Sequence, residues 1–120
     1  LKLIQNFLVK NKIRSKVVMC KTVRENNGLA CSSRNVLLSL KERKIASKVY
    51  KLLAKEKRRL INNKITLSNI RIVLFKMGLT SIEYLSLINV SKIIKPYKKK
   101  KEYKIFISYY LRKTRLIDNI

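Results

Sequence analysis

Residues 66–94 read TLSNIRIVLFKMGLTSIEYLSLINVSKII, and the way this stretch is taken decides the fold. Its charged side chains up to Lys92 are Arg71, Lys76 and Lys92 against Glu83, whereas the chain as a whole carries +24. The stretch therefore reads as an apolar hub with strongly cationic sequence on either side. Gly78 follows an apolar run, where a residue that enters the left-handed region without penalty ends a helix. Thr80 and Glu83 stand in the T-x-x-E spacing of a capping box, in which hydroxyl and carboxylate each satisfy the other residue's N–H. Lys92 and Lys95 suit the negative end of a helix begun there, and Pro96 stops it. The spacing predicts two helices, Leu67 to Met77 and Ser81 to Lys95, joined by a tight turn. For the first, the β-branched Ile70, Ile72 and Val73 leave a buried strand open as the alternative, since a short apolar run fits either element.

Working outward, 120 residues with 47% hydrophobic content suffice for one domain with one core. Thirty Lys and Arg against six Asp and Glu make a compact chain repel itself, and a polyanion is the natural partner for such a surface. Two Gly and one Pro leave little room for loops and favour a helical build. The expected architecture is mainly α: a small single-domain helical bundle with basic N- and C-terminal extensions and a short strand near the C-terminus as an option. Its parts are a basic arm over 1–24, a helical core over 25–95 and a basic extension over 96–120.

In the arm, Leu1, Ile4, Phe7 and Leu8 share one helical face. The start at Leu1, without Met, reads as a processed or partly observed chain, and an acid-free amphipathic beginning also has the composition of an organelle import sequence. Glu25 to Ala30, centred on Asn26, Asn27 and Gly28, is a loop. Ser32 or Ser33 then caps a helix carrying Val36, Leu37, Leu38 and Leu40. Along 44–61, Lys44, Lys48, Lys51, Lys55, Arg58 and Arg59 fall on one stripe at about 100° per residue, opposite Ile45, Val49, Leu52, Leu53 and Leu60. Only Glu56 interrupts the charge. Like charges crowded at helical spacing cost stability in isolation, so the stripe reads as a polyanion-binding face.

Lys98, Lys99, Lys100 and Lys101 lie between Tyr97 and Tyr103, a run suited to closely spaced phosphates; the tyrosines could stack on bases, though packing on the protein is the preferred reading for either one. Residues 103–111 alternate as a strand would, though a helix fits too, and Arg112, Lys113 and Arg115 form a last basic cluster.

Catalysis finds little support. Histidine is absent, the carboxylates at Glu25, Glu42, Glu56, Glu83, Glu102 and Asp118 make no close pair in sequence, and no Gly-rich phosphate loop exists. Cys20 and Cys31 cannot make a four-ligand zinc site and read as buried reduced thiols, which points to a reducing intracellular compartment, with an organelle as one option. No run is long and apolar enough to span a membrane. The hub has the turn spacing of a helix-turn-helix, but SIEYLSLINV offers no base-reading side chains, so core packing is preferred. No enzyme, cofactor, metal or small-molecule substrate is therefore expected.

This composition is similar to that of ribosomal proteins, in which a compact core and basic extensions clamp ribosomal RNA. That resemblance implies a structural RNA-binding protein among neighbouring proteins in a large assembly, with RNA preferred to DNA as partner. A DNA-packaging or nucleocapsid protein is the alternative, and a helical adaptor for an acidic protein or membrane surface the third.

Overall fold

The computed structural model describes residues 1–93 and 99–120. Readings that rest on 94–98, namely the Pro96 stop, Lys95, Tyr97 and the site residue Lys98, lie outside them. Three helices, α1 (Lys2–Lys10), α2 (Leu40–Ile61) and α3 (Leu67–Lys76), are followed by strands β1 (Ser81–Asn89), β2 (Tyr103–Leu111) and β3 (Thr114–Asn119). Short 3₁₀ turns occupy Ser33–Leu37 and Val90–Lys92. The strands form one antiparallel sheet in the order β1-β2-β3. The expected helical bundle with basic extensions is thereby corrected to an α/β fold in which residues 103–119 supply two of the three strands.

The helix expected over Ser81 to Lys95 is β1, and the reason lies in long-range partners. Thr80 and Glu83 do not form a capping box. The Thr80 hydroxyl accepts from the Arg112 N–H at 2.8 Å, and the Thr80 N–H donates to the Tyr110 carbonyl at 2.9 Å. A register shift lies between Ile82 and Tyr84, at Glu83. Its carboxylate accepts from Arg115 Nε at 2.8 Å, Ser108 Oγ at 2.7 Å and Tyr110 OH at 3.1 Å. Cross-strand donors and acceptors thus replace the two local bonds of the box, and a ladder to 103–110 supplies the backbone pairing.

Arg115, with the two hydroxyls, holds the Glu83 carboxyl down to about 2. A carboxylate depressed on folding stabilises the fold fully above its ordinary value, here 4.5, and loses that contribution as pH falls through the folded value. The melting temperature should therefore drop between pH 4.5 and about 2 more steeply than in Glu83→Gln. Parallel curves for the two proteins over that window would exclude the network as a source of acid sensitivity.

α2 begins with a true capping box. The Ser39 hydroxyl accepts from the Glu42 N–H at 3.3 Å, and the Glu42 carboxylate accepts from the Ser39 N–H at 2.8 Å. Ala46, Val49, Leu53 and Leu60 recur on one face and are buried, which is the 3.6-residue period at work. β2 answers with period two: Ile105, Ile107, Tyr109 and Leu111 are all buried in the core. α3 adds Ile70 and Leu74. The strand option for IRIVLF fails because Thr66 and Asn69 form a second capping box and Gly78, at φ +106°, ends the helix. Outside this core, α1 and the extended segment after it leave Leu3, Ile4, Phe7, Val18 and Met19 exposed.

Candidate active site

The best-formed polar site grows out of the loop at 25–30. Arg24 and Ala30 bridge antiparallel, and the Gly28 N–H donates to the Glu25 carbonyl at 2.8 Å, closing a turn that needs φ +93° at Gly28. The Asn27 side-chain oxygen accepts from the Leu29 N–H at 2.8 Å, and the Ser47 hydroxyl on α2 donates to the Asn27 carbonyl at 2.6 Å. The chain leaves this turn into the 3₁₀ segment Ser33–Leu37, with Ser32 as its cap. Ser32 Oγ accepts from the Arg34 N–H at 3.2 Å.

Along this segment burial alternates sharply. Cys31, Ser32, Ser33 and Arg34 are exposed while Asn35 is only 4% exposed. The Asn35 amide nitrogen donates to Glu25 Oε1 at 3.0 Å and to the Ala30 carbonyl at 2.9 Å. Both partners are acceptors, so the amide orientation is fixed and its oxygen points away from them. That oxygen is buried and has no hydrogen-bond partner among the described residues. Arg34 makes no ion pair among the described residues. Arg24, Arg43, Arg59, Arg112 and Arg115 each do, whereas Arg14, Arg58 and Arg71 are, like Arg34, without one among the described residues.

Beside the segment lies a cavity of about 350 Å³, with Ser32, Arg34 and Asn35 on one side and Tyr50, Arg115 and Asp118 among its other walls. Burial pushes the Glu25 carboxyl up, but the hydrogen bonds from Asn35, Arg43 and Asn27 together outweigh it and hold it below the ordinary value. Glu25 is thus a fixed anion that anchors the frame. Two hydroxyls and an uncommitted guanidinium on a tied-down loop suit an oxyanion such as phosphate, which Arg recognises with charge-assisted bonds. Sequence reasoning took Ser32 and Ser33 only as a helix cap. The signal was present: two hydroxyls followed directly by Arg34, just after a Gly turn, is an anion-binding composition as well as a cap.

The basic residues singled out from sequence lie on α2, ahead of β2 and about the β2–β3 turn. Lys44, Lys48, Lys51, Lys55, Arg58 and Arg59 are exposed on α2, and Arg59 is engaged with Glu56 at 2.8 Å. Lys99, Lys100 and Lys101 are exposed ahead of β2, and Lys113 is exposed in the β2–β3 turn. Arg112, in the same turn, faces Glu42 at 3.8 Å, while Arg115 is held by Glu83. Cys20 and Cys31 are free but exposed, not buried. Among the described residues no group of three or more His, Cys, Asp or Glu could hold a metal ion, and no helix is long and apolar enough to cross a membrane.

The family model for pantoate-beta-alanine ligase matches residues 1–120. The pantothenate synthetase of Flavobacterium psychrophilum is 34% identical over 125 residues, covering 100% of this chain and 44% of that protein. That of Sulfurihydrogenibium is 37% identical over 127 residues, covering 100% and 45%. The pantoate-beta-alanine ligase of Francisella tularensis, solved with beta-gamma ATP and beta-alanine, superposes with a TM-score of 0.71 at 27% identity, over 99% of this chain and 38% of that one. Pantothenate synthetase from Thermus thermophilus shares the fold at a TM-score of 0.71 and 24% identity, over 98% and 44%.

The chain thus spans less than half the length of these relatives. They overturn the expected ribosomal or packaging role, the nucleic-acid partner and the expectation against an enzyme with a small-molecule substrate. The physical reason is that net charge governs repulsion, solubility and long-range attraction, and does not specify fold or chemistry. By a match that runs the whole length of its sequence, the chain belongs to the pantoate-beta-alanine ligase family.

Proposed function

We propose that this chain carries part of an ATP-dependent ligase site that joins pantoate to β-alanine, with Ser32, Ser33 and Arg34 as its phosphate-binding segment. The carrying observation is that Arg34 is exposed and uncommitted next to two exposed hydroxyls, on a loop fixed by Glu25, Asn35 and Ser47. A carboxylate does not acylate an amine unaided in water. ATP cleavage supplies the drive, and the charge that gathers on its phosphate oxygens needs donors already in place. Arg34 offers the planar fork and the serines offer hydroxyl donors. In this reading the exposed lysines of α2 act at a distance, raising the local concentration of anionic small molecules in a salt-dependent way.

Titration calorimetry of the chain with ATP tests this. Loss of a charge-assisted hydrogen bond costs about 1.5–3 kcal/mol, so Arg34→Ala should weaken ATP by roughly 10- to 100-fold. Its melting temperature should stay unchanged, because Arg34 is exposed and its side chain holds no ion pair among the described residues. Equal affinity in both proteins would refute the assignment.

A further inference from the structure

Arg24 is the most heavily engaged cation among the described residues. Its guanidinium meets Asp118 bidentately, at 2.7 Å to Oδ2 and 3.0 Å to Oδ1, and also donates to the Asn119 carbonyl at 3.2 Å and the Gly28 carbonyl at 3.1 Å. It lies over the Tyr50 ring, 4.0 Å from the centroid. One side chain therefore joins three parts of the molecule: the 24–30 loop, α2 through Tyr50 and the end of β3 through Asp118. Arg24 and Asp118 are 94 residues apart in sequence. The next residue, Glu25, turns the other way and holds Asn35 at 3.0 Å and Arg43 at 2.6 Å. A continuous chain of contacts runs from Asp118 through Arg24 and Glu25 to Asn35, the neighbour of Arg34.

We propose that Arg24 is a positioning residue for the phosphate-binding segment, setting through Asp118 and Glu25 where Ser32, Ser33 and Arg34 present their donors. This rests on the phosphate-binding reading of that segment. Among the side-chain hydrogen bonds of the 24–30 loop, those of Arg24 reach the sheet. The Asn27 contact to Ser47 reaches only α2, and the Glu25 contacts reach only α2 and the 3₁₀ turn. Lysine cannot substitute, because four of the five guanidinium donors are in use on a planar group that also stacks on a ring, and an ammonium offers three donors and no plane. In the Arg24→Lys protein the loop keeps its charge but loses its angle to β3, and a shift of the order of 1 Å at a binding group costs up to about 10²-fold.

The experiment is a double-mutant cycle on ATP affinity, using the 120-residue chain with Arg24→Lys, Arg34→Ala and both together, alongside melting temperatures. If Arg24 positions the segment, Arg24→Lys should weaken ATP about tenfold or more in the original background and by a clearly smaller factor when Arg34 is already alanine, where only Ser32 and Ser33 remain to be misplaced. A general loss of order would instead weaken ATP by the same factor in both backgrounds, and that additivity would overturn the inference. So would unchanged ATP affinity in a folded Arg24→Lys protein. Should Arg24→Lys fail to fold, Asp118→Asn, which loosens the bidentate hold of Arg24 on β3 and leaves its bond to the Gly28 carbonyl, takes its place in the cycle under the same criteria. Absence of ATP binding by the unaltered chain is a separate result: it refutes the phosphate-binding reading itself, and the positioning role with it.

Discussion

Leu53→Ala should lower the free energy of unfolding by about 2–5 kcal/mol, the range for removing a fully buried leucine and leaving its space unfilled. Leu53 is 0% exposed and lies on the buried face of α2 with Val49 and Leu60. It belongs to a core that includes Ile105, Ile107 and Leu111 of β2 and Leu74 of α3. A helix side chain set against a sheet cannot be replaced by collapse of its neighbours without bending one of the two elements, so the upper half of that range is expected. Small domains have about 5–15 kcal/mol in all, which makes the effect visible as a large shift in the urea midpoint. The slope with urea should stay constant, because the surface exposed on unfolding is nearly unchanged. A midpoint within error of the parent would mean that α2 and β2 do not share a core.

Gly28→Ala should be the second severe change, for two separable reasons. At φ +93° a β-carbon is strained wherever it sits, at a cost of about 1–3 kcal/mol. Here the new carbon would also come to 2.5 Å from Tyr50 Cδ1 and 2.7 Å from Cε1. The ring can relieve that overlap only by swinging away from the Arg24 guanidinium on which it stacks. The backbone part and the ring part can be told apart with Tyr50→Ala. In that background the overlap vanishes and only the φ strain remains, so Gly28→Ala should cost less there than in the parent. Equal cost in both backgrounds would assign the whole effect to the backbone.

How much was legible in the sequence varied with the range of the interactions involved. The α2 pattern of Ile45, Val49, Leu52, Leu53 and Leu60 opposite a lysine stripe is a property of one segment, and segment periodicity is what a sequence displays. The glycine turns at 28 and 78 were equally plain, since few other residues accept their backbone angles. The T-x-x-E motif at 80–83 was a true local signal with a misleading outcome. In isolation it favours a helix start, yet Ser108, Tyr110, Arg112 and Arg115 claim both of its side chains. The proposed phosphate-binding segment was half legible: Ser32 does cap a turn, but the exposure of Arg34 appears only after folding.

By itself the sequence determined where helical periodicity lies, where the chain must turn, that these 120 residues hold no histidine and that they are strongly cationic, all of them read from composition or from neighbouring residues. Tertiary structure alone decided that 81–89 is a strand, because its ladder partner lies beyond the Lys-rich run. It also decided that Arg24 meets Asp118 across 94 residues, and that Arg34 stands exposed beside two exposed serines. Such outcomes depend on which distant groups compete for a donor or an acceptor, and that competition is settled only when the core of α2, α3 and β2 brings them within reach.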